Sequence, residues 1–382
     1  MKTGPLPRLL LVVALMICLA VPATASSPVE TLLGQVPASA FEAGHISYVD
    51  YHALVAARPG ATAPTDTKDI PAFQTTPEGK VYFKAMQGAA SGSSTMIMYL
   101  YLADEMKAMS GINPFLMAQS LEAGAPPSQQ VWLQGGLDTE AVITALKQQN
   151  YQASGGTEQW TLWCEDGACG NGQRTDFSRR DPAFLFGGDL GRRWPVVLGE
   201  DLLASSPDSE VILQIAAADG PSLLDLPEVK DVLTSVRSLP DADQVTQFQV
   251  FSAATLFVDS QQVPGVVGLF QLDSPEAQRV VLALRYPDPA GAKDALTRFE
   301  ANFPSAELTT GQPLVTVVEN QSGSLEPLSV YEAEGGSAVL IIPFLFPSET
   351  AAATENPDSQ SAVPFALFRN MALKRDMDWL TR

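Results

Sequence analysis

The chain has 382 residues, of which 46% are hydrophobic and 17% charged, enough apolar material to bury a sizeable core. Its 43 acidic residues outnumber 23 basic ones, for a formal net charge of −20. Such a surface repels phosphate polyanions and anionic lipid, so nucleic acid is excluded as a partner.

The first 25 residues carry the pattern of a cleaved export signal. Lys2 and Arg8 precede an apolar run from Leu9 to Val21, and Ala23-Thr24-Ala25 supplies a small-x-small cleavage site. The run is shorter than the roughly 20 residues that cross a bilayer as a helix. No later stretch is long enough either, so the mature chain is expected to have no integral membrane segment. Its expected location is exported: periplasmic, cell-surface associated or extracellular.

"HISYVDYHAL" (45–54) reads as a strand running into a short helix, with Asp50 as the helix cap. The two histidines of the chain, His45 and His52, lie here. A third convergent ligand is missing, so no metal site is assigned and no cofactor is expected. Residues 56–80, rich in Pro and Thr, read as a long irregular loop. In "STMIMYLYLADEMKAMSG", Met98, Leu102, Met106 and Met109 share one stripe of a helix, which fits a buried face better than a copper site.

Two matching patterns follow. "VWLQGG" (131–136) reads as a strand, and the helix after it is capped by Asp138. "VVLALRYP" (280–287) reads likewise, with Asp288 as cap and Pro289 in the first turn. After the first helix come the strands "WTLWC" and "WPVVLGEDLLASS", the latter turning at 199–201. After the second come "LVTVVEN" and "LSVYEAEGGSAVLII", expected as strands, with a turn at Gly335-Gly336. Further helices are expected at 206–220, capped by Ser206, at 226–236, and from 365 to the C-terminus. The resulting fold class is α+β: two related units, each strand–helix–strand–strand with a mostly antiparallel sheet, joined by flanking helices. The domain division places one unit at 26–240 and the other at 241–382, with a low-complexity loop at 347–364.

Cys18 leaves with the signal, so Cys164 and Cys169 are the only thiols of the mature chain. An even number of cysteines in an oxidising compartment points to a disulfide. Around them, Arg174, Arg179, Arg180, Arg192 and Arg193 crowd into 20 positions, flanked by Trp160, Trp163 and Trp194. Guanidinium forks grip carboxylates or phosphates, and a tryptophan face can stack on a ligand. Trp163, Trp194 and the five arginines are therefore the candidate ligand-binding set. The bland alternative pairs the arginines with Glu165, Asp166, Asp176, Asp181 and Asp189, and buries the tryptophans.

No nucleophile elbow, P-loop, zinc-protease or dinucleotide motif is present, and no catalytic residue is assigned. The expected function is a non-enzymatic binding module for a protein or glycan partner. The alternative is a secreted hydrolase acting on glycans through paired carboxylates.

Overall fold

In the computed structural model the described residues are 27–58, 60–68, 70–89, 100–124, 129–217, 220–239, 245–257, 264–274, 276–347 and 364–380. The signal segment, Met98, the boundary at 240–244 and nearly all of the 347–364 loop lie outside them.

Among the described residues the chain is a mixed α+β protein: twelve α-helices and thirteen strands, the strands joined in one antiparallel sheet. The strands are β1 (His45–Asp50), β2 (Gln119–Ala123), β3 (Gln130–Gln134), β4 (Tyr151–Gly156), β5 (Thr161–Glu165), β6 (Val196–Leu198) and β7 (Leu202–Ser205). They continue as β8 (Val245–Ser252), β9 (Val266–Asp273), β10 (Ala277–Tyr286), β11 (Ser324–Leu325), β12 (Ser329–Glu332) and β13 (Ala338–Pro347). Their order across the sheet is β11-β13-β10-β9-β8-β1-β2-β3-β7-β6-β5-β4, with β12 also on β13.

The helices are α1 (Pro28–Leu33), α2 (Tyr51–Ala56), α3 (Ile70–Phe73), α4 (Pro77–Gln87), α5 (Ala103–Ser110) and α6 (Thr139–Gln148). Then come α7 (Ser209–Ala217), α8 (Pro227–Val236), α9 (Ala253–Leu256), α10 (Pro289–Asn302), α11 (Leu314–Glu319) and α12 (Pro364–Leu373).

Side chains alternate across a strand, so each strand feeds both faces of the sheet. One face presents Ile46, Tyr48, Trp132, Phe248 and Phe270, covered by α1, α7 and α8. The other presents Val49, Phe251, Leu282 and Phe344, covered by α4, α6, α10 and α12. Along the inner strands both faces are dry, which explains why β9 and β13 are nearly continuous apolar runs instead of alternating ones, whereas the edge strand β4 is exposed after Tyr151.

Local caps set where several helices begin. Asp50, Asp138 and Asp288 each accept a backbone N–H three residues on, from Ala53 (2.8 Å), Ala141 (3.0 Å) and Gly291 (2.8 Å). Four expectations need correction. "LVTVVEN" is helix α11: Leu314 and Val318, one turn apart, are buried while Thr316 between them is exposed, so packing overrides the strand preference of Val and Thr. The irregular loop at 56–80 is shorter than read, because α2 still includes Ala56 and α3 and α4 occupy its second half. Helix α7 starts at Ser209, where Asp208 accepts the Glu210 N–H (2.9 Å) and Ser206 instead braces Asp208. The last long helix stops at Leu373, shortly before Arg375 turns left-handed (φ 56°). Among the described residues no helix is long and apolar enough to cross a membrane.

Candidate functional site

Strand β5 ends at Glu165, and the chain reverses through Asp166 (φ 50°) and Gly167 (φ 74°). The Cys164 and Cys169 sulfurs lie at disulfide distance across this turn, with Glu165 between them in the chain. Beyond it, residues 172–195 fold as a compact excursion before β6. Its first short turn, Phe177–Arg179, is capped by Asp176, which accepts the Ser178 N–H (3.1 Å). Its last, Gly188–Leu190, is flanked by left-handed Gly187 and Gly191. Gly191 is obligatory here: a Cβ would sit 1.8 Å from the Asp176 carbonyl oxygen. That contact closes the excursion on itself.

The closure creates a small pocket of about 150 Å³ lined by Glu165, Arg174, Asp176, Arg179, Gly191 and Arg193. Arg179 donates to Glu165 through both terminal guanidinium nitrogens, Nη1 and Nη2, and this bond raises the arginine's pKa further. Asp176 accepts the Ser178 hydroxyl (2.6 Å), which holds its carboxyl below the usual range. Arg193 differs from both. It is buried at 8% exposure, lies over the Phe184 ring (4.6 Å) and donates through Nη1 to the Arg192 carbonyl (2.9 Å). Its Nε finds no acceptor, and no carboxylate pairs with it among the described residues. Burial first, and the neighbouring Arg179 second, pull its pKa down. Glu165 and Asp181 act on it only from beyond ion-pair distance, so the guanidinium is left partly uncompensated and an anion entering the pocket would relieve that cost.

Three of the five candidate arginines, Arg174, Arg179 and Arg193, thus converge. Arg192 lies beside them, with its Nε on Thr175 Oγ1 (3.1 Å), and Arg180 is exposed outside the pocket. Trp163 and Trp194 do not join the surface: both are 6% exposed and sit in the core. Strand alternation turns Trp163 toward the face covered by α4, α6, α10 and α12, away from Leu162 and Cys164, and Gly187 leaves the space that the Trp194 ring fills. Phe184 and Gly191 were not readable as site residues. The only signal was the Gly-rich spelling "FGGDLGRR", which marks tight turns without saying what they enclose.

His45, Asp50 and His52 do not assemble a site: Asp50 caps α2 and His45 stacks on Phe251 (4.8 Å). No group of three or more metal-ligating side chains occurs among the described residues.

The sequence matches no protein family and no curated protein. Among solved structures, one titled "Structure of crystal form I of TP0453", from a bacterial protein, is similar with a TM-score of 0.35 and 10% identity, covering 85% of this chain and 95% of that one.

Proposed function

We propose that this protein is an exported, non-enzymatic binding module whose arginine pocket takes one carboxylate of a partner. The observation that carries the reading is Arg193, a buried cation lining an open pocket with no carboxylate ion-paired to it among the described residues, since Glu165 is taken by Arg179 and Asp176 by Ser178. The pocket holds three guanidinium groups and two carboxylates, so a single negative charge balances it. Its volume suits a side-chain or chain terminus, well below the roughly 300 Å³ at which whole small-molecule sites begin. Phe177 (71% exposed) and Leu190 (37% exposed) flank the Asp176–Gly191 seam and offer apolar contact around the charge. That combination favours a protein partner over a glycan here. Glu165 and Asp176 are both committed to internal bonds, and the hydrogen bonds from Ser178 hold the Asp176 carboxyl below the usual range, which weighs against acid catalysis in this pocket.

N-acetyl-leucine and its amide test the reading by ligand-observed NMR. The acid is expected to bind and the neutral amide not to. Arg193→Met should abolish binding, while Arg180→Ser should leave it intact. Equal behaviour of acid and amide, or full binding by Arg193→Met, would remove the proposal. Export rests on the leader pattern and the cysteine pair; N-terminal sequencing of the native product checks it, since a retained Met1 contradicts cleavage.

The chain is also read as a duplicated α+β unit divided after residue 240. Each half lays down three antiparallel strands, β1-β2-β3 and β8-β9-β10, then an Asp-capped helix, α6 or α10. Each returns with a strand beside its third, β7 or β13. Both first strands run straight into short helices, α2 and α9, and β1 pairs antiparallel with β8, as a two-fold relation requires. Fragments 26–240 and 241–382, co-expressed, should associate and restore the sheet. Fragments that stay apart and unfolded argue against two units.

A further inference from the structure

On the opposite face of the sheet edge from the arginine pocket, the chain forms a second concavity of about 420 Å³. Gln35, Val36, Gln159, Trp160, Ile215 and Ser222 are among its walls. We propose that it binds an uncharged saccharide.

Its lining contains no ionisable side chain, although the chain as a whole is strongly acidic. A charged ligand would lose hydration there and meet no counter-charge. The volume falls within the range of small-molecule sites. Trp160 sits where the turn from β4 enters β5, half-buried, with its ring against Gly199, where an added Cβ would meet Cζ3 at 2.9 Å. A tryptophan so held offers a fixed apolar face to the C–H surface of a sugar ring. The exposed amides of Gln35 and Gln159 supply both donors and acceptors for hydroxyl groups, and neither makes a side-chain hydrogen bond among the described residues. Val36 and Ile215, both buried, close the floor with apolar surface.

The rim is rigid before any ligand arrives. Ala38 N–H donates to the Pro221 carbonyl and Leu223 N–H to the Val36 carbonyl, both at 2.8 Å, so the two segments clamp each other. Pro37 and Pro221 restrict the backbone of that clamp further. A preformed cavity keeps the ordering cost of binding low, which matters for ligands as weakly held as neutral sugars.

The chain carries its own reporter. Trp132, Trp163, Trp194 and Trp379 are all buried, so Trp160 is the one tryptophan whose surroundings a ligand in this pocket changes. The full chain is titrated with maltotriose, cellotriose and chitotriose, following tryptophan emission and binding heat. At least one trisaccharide should shift the emission and bind. Trp160→Ala should weaken that binding about tenfold, the loss of one aromatic face. Should Trp160→Ala disturb folding, Gln35→Ala/Gln159→Ala carries the test, since both side chains are exposed; it should weaken binding with an unchanged thermal melt. Arg193→Met should leave sugar binding untouched, which separates this site from the arginine pocket. The proposal is overturned if none of the three sugars binds, if binding survives both pocket variants, or if a uronic-acid trisaccharide or a polyproline peptide binds more tightly.

Discussion

His45 makes acid stability a direct test of how the sheet is covered. Its ring stacks on Phe251, its Nε2 is buried without a partner, and burial lowers its pKa from 6.5 to about 4. In the unfolded chain the imidazole takes up a proton near its ordinary value; in the folded chain it resists until the lower one. Stability from this group is therefore complete above pH 6.5 and is lost as pH falls toward about 4. The full shift is worth about 3 kcal/mol, of which about 2 kcal/mol is gone by about pH 4.5. His45→Phe keeps the stacking and removes the titration. Urea unfolding of both proteins at about pH 7 and about pH 4.5 should show the wild type losing about 2 kcal/mol more than the variant. Other titrating groups are common to both proteins and cancel in the difference. Equal losses would mean that water reaches the ring, and the account of this face as dry would fail.

Glu122 has the opposite sign. Burial pushes its carboxyl well above the usual 4.5, so the folded state keeps a proton that the unfolded state has released. Stability then declines as pH rises above 4.5, and Glu122→Gln should raise the thermal midpoint at neutral pH with no gain in acid. Replacing Cys164 and Cys169 with Ala should cost about 2 kcal/mol by chemical denaturation, the loop between them being short; an unchanged midpoint would show that the bridge is not formed. Arg58 is buried against Asp273 (3.0 Å), whose carboxylate also accepts from Thr246, Gln271 and Gln278. Arg58→Met leaves that charge unpaired and should destabilise the fold by about 3–5 kcal/mol, whereas the double change with Asp273→Leu should recover much of the loss.

Where the controlling interaction is local, the amino-acid sequence alone was sufficient. Asp50, Asp138 and Asp288 cap helices because the N–H groups they satisfy lie three residues away in the same chain. The 199–201 and 335–336 turns, and the Cys164–Cys169 pair, are likewise decided by near neighbours. The mixed α+β class followed from the same local grammar. Tertiary structure decided what depends on partners far along the chain. Leu314–Glu319 became a helix because Leu314 and Val318 had a core to enter. Trp163 and Trp194 went inward because a second layer of helices covers that face of the sheet. The arginines of one short stretch separated into a pocket and a periphery only when Gly191 closed against Asp176, and Glu122 was driven toward its neutral form because β1 and β3 enclose it. Spacing along the chain reports which residues can bond to near neighbours; burial depends on the whole packed volume, and so does the charge a side chain can keep.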